Sequence, residues 1–148
     1  MSHNRRIFLG GMGAALVLAG CKGPAMLSVA AQAAPGANPG ADGADRPLTV
    51  FVMQMSGSSA FDSADFFALQ DPASALGGEL VKLDQLVLAP GGSASTVLTI
   101  QPNTTVVGIS AAFRDPAGKQ FRAKTPAPSG NAGVLVAVGP SGIQLQDA

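Results

Sequence analysis

Leu48-Thr49-Val50-Phe51-Val52-Met53-Gln54-Met55 is rich in β-branched residues and apolar on both of its alternating faces. That is the composition of a strand buried from two sides. Ser56-Gly57-Ser58-Ser59-Ala60 then breaks the run with small, flexible residues, which predicts an exposed loop. The next stretch, residues 61–78, is the one helical region. Asp62 or Ser63 can cap a first helix carrying Phe66, Phe67 and Leu69, Asp71-Pro72 supplies a cap followed by proline at the first helical position, and Gly77-Gly78 stops the second helix. Phe66 and Phe67 are expected to pack this helical flap onto the strand behind it.

Downstream of Lys82 the chain is a series of short strands divided by turn residues. Leu86-Val87-Leu88 runs into Pro90-Gly91-Gly92, and Ala94, Thr96, Leu98 and Ile100 alternate with Ser93, Ser95, Val97 and Thr99. Val107, Ile109, Ala111 and Phe113 share one face before the Asp115-Pro116-Ala117-Gly118 turn, where Arg114-Asp115 reads as part of the turn rather than a functional ion pair. Phe121 and Ala123 oppose Arg122 and Lys124, and Val134–Val138 and Ile143–Leu145 form a hairpin around Gly139-Pro140-Ser141-Gly142. Seven or so strands at this spacing predict an all-β fold, an antiparallel β-sandwich over residues 47–148 with a small helical insertion, the flap at 61–78, after the first strand.

Upstream, residues 22–46 are dominated by Ala, Gly and Pro around Pro35-Gly36-Ala37-Asn38-Pro39-Gly40. They predict a flexible tether over 21–46, with a short edge strand at Met26-Leu27-Ser28-Val29 as the one structured option. Ahead of it stand Arg5 and Arg6, then an uncharged run from Ile7 to Ala19, too short to span a bilayer, and Leu18-Ala19-Gly20-Cys21. This layout resembles that of bacterial lipoproteins, which implies an export signal over residues 1–20 and Cys21 as the lipidated residue. Each buried acyl methylene adds roughly 0.8 kcal/mol, and stable anchoring needs more than one chain. Asn4-Arg5-Arg6-Ile7-Phe8-Leu9 fits either the general or the twin-arginine export route.

Removing the signal takes away the only histidine, His3, and acylation consumes the only cysteine. Neither Ser-His nor Cys-His catalysis nor His-ligated zinc is then available, so no enzyme activity, cofactor or metal is expected. The 148 − 20 = 128 remaining residues carry 9 − 2 = 7 basic and 9 acidic side chains, with no basic cluster to attract nucleic acid. Tryptophan and tyrosine are absent, so a protein partner must be met by Phe, Met, Leu, Arg and backbone.

Asp65-Phe66-Phe67 with Leu69, Leu76-Gly77 with Glu79-Leu80, Leu86, Leu88 and Pro90-Gly91, and Val107-Gly108-Ile109 leading to Ala111-Ala112-Phe113-Arg114-Asp115 together resemble the TssJ (VasD) family, outer-membrane lipoproteins of the type VI secretion system. Gln54 and Arg122 fit as well. Phe121 departs from the family where a Trp is common, and Phe51-Val52-Met53 replaces a more polar, tyrosine-bearing strand. The resemblance implies a transthyretin-like sandwich, lipid-anchored at the periplasmic face of the outer membrane, that binds the periplasmic C-terminal domain of the inner-membrane protein TssM. It further implies contact through the loop between the first two strands, which on the strand count above is Met55, Ser56, Gly57, Ser58, Ser59, Ala60 and Phe61. A generic periplasmic lipoprotein sandwich that binds a small ligand is the alternative, and it would need exposed aromatics, of which this composition offers none beyond Phe.

Overall fold

Both faces of the Leu48–Met55 strand are buried, each under a different layer. Only Thr49 among its eight residues escapes full burial. A computed structural model describes residues 23–148, so the export signal and Cys21 lie outside the described residues. The strands are β1 (Met26–Ala33), β2 (Leu48–Met55), β3 (Leu80–Leu88), β4 (Ser93–Thr99), β5 (Val106–Ala111), β6 (Arg122–Pro126), β7 (Ala132–Gly139) and β8 (Gly142–Asp147). They form two four-stranded sheets, ordered β4-β1-β7-β8 and β3-β2-β5-β6.

Between the sheets lies the main core. Leu48, Val50 and Val52 of β2 meet Val107, Ile109 and Ala111 of β5 within one layer, and Leu27, Val29, Ala31 and Ala33 of β1 meet Val134, Val136 and Val138 of β7 in the other. Phe113 and Leu98 complete it. On the outer side of the second sheet, Phe51, Met53 and Met55 form a smaller core with Phe61, Leu69 and Leu76 of the helical flap. The apolar-on-both-sides pattern of β2 is therefore answered by a sheet on one side and the flap on the other.

Three expectations need correction. The flexible tether expected over 21–46 is not what the described part of that stretch forms: from Met26 the chain is an inner strand, hydrogen-bonded to β4 antiparallel and to β7 parallel, which makes eight strands with one parallel pair among them. Alternation explains the strand. Leu27, Val29, Ala31 and Ala33 are buried, while Ser28 and Gln32 face solvent. The loop that follows, 34–47, is also built rather than fluid.

The flap, second, starts earlier than 61 and is more broken. α1 (Ser59–Ser63) begins within the expected loop, a 3₁₀ turn covers Ala68–Gln70, α2 (Pro72–Leu76) follows, and a second 3₁₀ turn at Gly77–Glu79 leads into β3. Asp71-Pro72 does open α2, and Gly77 ends it at φ 55°, a left-handed backbone that glycine adopts without penalty. Asp62 and Ser63 lie inside α1 rather than at its N-cap, Phe66 and Phe67 follow that helix, and Leu69 sits in the first 3₁₀ turn. Third, the two phenylalanines part company: Phe66 stacks edge-on against Phe121 of the sheet at 5.4 Å between centroids, whereas Phe67 is 76% exposed. Adjacent residues in a helical turn point about a quarter-turn apart, so both could not face inward.

Gly108 shows how closely the flap sits on the sheet. It lies on the outer face of β5, where a Cβ would stand 2.7 Å from the Phe61 ring and 2.8 Å from Met55 Cε. Gly108→Ala is expected to lower stability by about 1–3 kcal/mol through overpacking. Thermal melts of the two proteins check this; an unchanged midpoint would mean that the flap has room to shift.

Candidate partner-binding surfaces

The Met55–Phe61 segment is a clamped corner rather than a free loop. Met55 is fully buried and Phe61 is 1% exposed, so neither can serve as an apolar anchor for a partner, contrary to the expectation from sequence. Apolar side chains beside a small-residue loop were drawn into the second core instead. Between them, Ser56 N donates to Glu79 O, and the Glu79 carboxylate accepts from Ala60 N at 2.9 Å and from Ser59 Oγ at 3.1 Å. Gly57 packs directly against that carboxylate, leaving no space for a Cβ.

β6 latches the same corner from the other side. Arg122 Nη1 donates to Phe61 O at 2.6 Å and also to Ala64 O, satisfying carbonyls at the end of α1, while its guanidinium lies 5.1 Å from the Phe121 ring centroid. Lys124 Nζ pairs with Asp62 at 2.7 Å and donates to Ser58 Oγ at 3.2 Å. The hydrogen bond from Lys124 holds the Asp62 carboxyl below its ordinary value. What remains open is a shallow groove of about 280 Å³ lined by Ser58, Thr105, Val106, Lys124, Thr125 and Pro126.

With β1 in place, the loop joining the first two strands is 34–47. Its Ala-, Gly- and Pro-rich sequence is ordered by two side chains. Asn38, 4% exposed, donates from Nδ2 to Pro47 O at 3.0 Å and accepts at Oδ1 from Arg114 N at 2.8 Å, tying the loop to the segment after β5. Asp45 accepts from Gly36 N at 2.9 Å and from Asn38 N at 3.4 Å. Ala37 is buried in the main core beneath them. At the tip, Arg46 pairs with Asp42 at 3.0 Å, and that contact lowers the Asp42 carboxyl below its ordinary value. Ala41, Asp42, Gly43, Ala44 and Arg46 are exposed. The loop is thus a pre-ordered projection with a polar tip, the kind of element that rigid scaffolds present to partners.

The two surfaces lie at opposite ends of the sandwich. Thr105 N donates to Met55 O, and Gln54, fully buried, accepts at Oε1 from Gln101 N at 2.8 Å and donates from Nε2 to Thr99 O at 3.1 Å. The end of β2 thereby joins the end of β4, next to the start of β1. At the far end, Ala34 N donates to Val138 O and Ala33 N to Gly92 O. Asp115 accepts from Ala117 N at 3.1 Å there, in keeping with its reading as a turn residue.

Residues 25–141 match the family described as Type VI secretion lipoprotein, VasD, EvfM, TssJ. The chain belongs to this family. Among solved structures, the T6SS lipoprotein TssJ1 from Pseudomonas aeruginosa is 30% identical, with a TM-score of 0.77 over 84% of this chain and 97% of that one. Serratia marcescens Lip, described as a membrane bound component of the Type VI Secretion System, is 24% identical, with a TM-score of 0.76 over 83% and 98%. A structure described as the T6SS protein TssM C-terminal domain from EAEC contains a chain of the same fold, 22% identical, with a TM-score of 0.69 over 83% and 98%. A search of curated protein sequences gives no significant match. The family match begins at residue 25, in agreement with β1 being part of the sandwich. Among the described residues no helix is long and apolar enough to cross a membrane.

Proposed function

We propose that this type VI secretion lipoprotein is held by an acylated Cys21 at the periplasmic face of the outer membrane and binds the periplasmic C-terminal domain of TssM through the loop at 34–47. Its role is to join components of the trans-envelope complex, not to catalyse a reaction. The observation that carries the reading is the ordered loop between the first two strands. The resemblance to TssJ implies a contact through that loop, and here it is fixed from within by Asn38 and Asp45 while its tip is left free. Order in the free state spares the entropy that a floppy loop would lose on binding.

Calorimetry of the domain Gly23–Ala148 against a TssM C-terminal domain tests it. Ala41→Arg with Ala44→Asp, both at exposed positions, is expected to weaken binding about tenfold or more, about 1.4 kcal/mol, with no change in melting temperature. Ser56→Arg is expected to leave affinity unchanged. The reverse result would move the interface back to the Ser56–Ala60 corner, and unaltered affinity in both would remove it from either loop.

A further inference from the structure

The distance from the acylated residue to the sandwich is short enough to set which end of the protein meets the lipid. We propose that the end carrying the start of β1 rests on the headgroup layer of the membrane that holds the Cys21 acyl chains, with the sandwich standing on that end. This rests on the acylation of Cys21 and not on the TssM contact. Five Cα steps separate Cys21 from Met26, a span of at most about 17–18 Å even when fully extended. From that point the chain has no slack: Ala25 O accepts from Ile100 N at 2.9 Å, and Met26 N donates to Asn131 Oδ1 at 3.0 Å.

The surface at this end suits a headgroup layer. Its three loop segments, residues 56–58, 100–105 and 127–131, carry no ionisable side chain; the charges beside them include Asp147, exposed at the end of β8 opposite Val134, and Lys124, which pairs with Asp62 next to Ser58. Pressing these segments against headgroups strips water from no charge of their own. The loops at the opposite end, residues 34–47 and 112–121, hold Asp42, Asp45, Arg46, Arg114, Asp115 and Lys119. Among the described residues this end has no basic patch that would bind lipid unaided, so the tether length is what imposes the orientation. The eight residues of β1 then lift the loop at 34–47 about 25 Å farther into the periplasm.

The acylated full chain, reconstituted in phosphatidylethanolamine–phosphatidylglycerol vesicles containing a nitroxide-headgroup lipid, provides the test. A fluorophore is attached in turn at Ser129→Cys at the end carrying the start of β1, Ser95→Cys on the outer face of the first sheet, and Ala117→Cys at the opposite end, all exposed positions. Quenching is expected to be strongest at 129, intermediate at 95 and lost at 117. Inserting about 25 Gly/Ser residues after Lys22, with a reach of about 25–30 Å, should abolish the ranking. Equal quenching at the three sites, or quenching at 95 that matches 129, overturns the upright orientation while leaving acylation intact. A wild-type chain that fails to float with the vesicles overturns acylation and orientation together.

Discussion

A chain beginning at Arg46 is expected to lose cooperative folding, whereas one beginning at Gly23 melts in a single transition. The shorter chain looks complete if the preceding residues are taken for a linker, but it lacks β1. That strand places Leu27, Val29, Ala31 and Ala33 in the main core, none more than 6% exposed. Burying Leu27 and Val29 alone contributes about 3–6 kcal/mol at 1.5–3 kcal/mol each. The topology makes the loss larger. In the order β4-β1-β7-β8, β1 is the only strand joining β4 to the β7–β8 hairpin, so removing it splits the sheet and exposes Leu98, Val134 and Val136. Against a net stability of about 5–15 kcal/mol for a domain, such a deficit leaves no folded population of consequence. Near-ultraviolet circular dichroism and a thermal melt of both chains decide it. A sharp transition in the Arg46 chain, within a few degrees of the longer one, would show that β1 is dispensable.

Why β1 was hard to read follows from its residues. β2 declares itself because large apolar side chains occupy both faces, and β7 and β8 because Gly139-Pro140-Ser141-Gly142 sits between two alternating runs. β1 alternates as well, but two of its four inward positions are alanine, which differs little in size or hydropathy from the Ser and Ala on the outer face. Its parallel partner begins 132 − 27 = 105 residues later, so no local turn announces the pairing. The loop at 34–47 was hidden for another reason. Its composition is that of a linker, and its order comes from two residues, Asn38 and Asp45, whose side chains bond backbone groups that only the folded chain brings near. Missing β1 shifted the strand count by one, and that shift alone carried the expected partner loop from 34–47 to Met55–Phe61. The fold class rested on the later strands and is unaffected, whereas which loop joins the first two strands depends on which strand comes first.

Phe113→Ala is expected to destabilise the domain by about 3–5 kcal/mol, while Lys124→Ala stays nearly silent. Phe113 follows β5 and continues the inward face of Val107, Ile109 and Ala111; it is 3% exposed and closes the end of the main core beneath the loop at 34–47. Truncating its ring leaves a void at a place with little freedom to collapse. On one side the backbone N–H of Arg114 is held by Asn38, and on the other Lys119 lies 5.5 Å from the ring centroid while donating to Pro140 O. Lys124 points to the opposite face of its sheet, and its pair with Asp62 leaves the two side chains 42% and 50% exposed. In water-rich surroundings such a pair contributes about 0–1 kcal/mol. Denaturant melts of both variants give the comparison. Because a one-residue slip in β5 would turn Phe113 outward, similar losses for the two substitutions would contradict the pairing of Ile109 with Ala123 and of Ser110 with Arg122. A large loss confined to Phe113→Ala should bring weaker TssM binding even at temperatures where the variant is folded, since the side chain that seals the core also supports the segment to which Asn38 ties the loop.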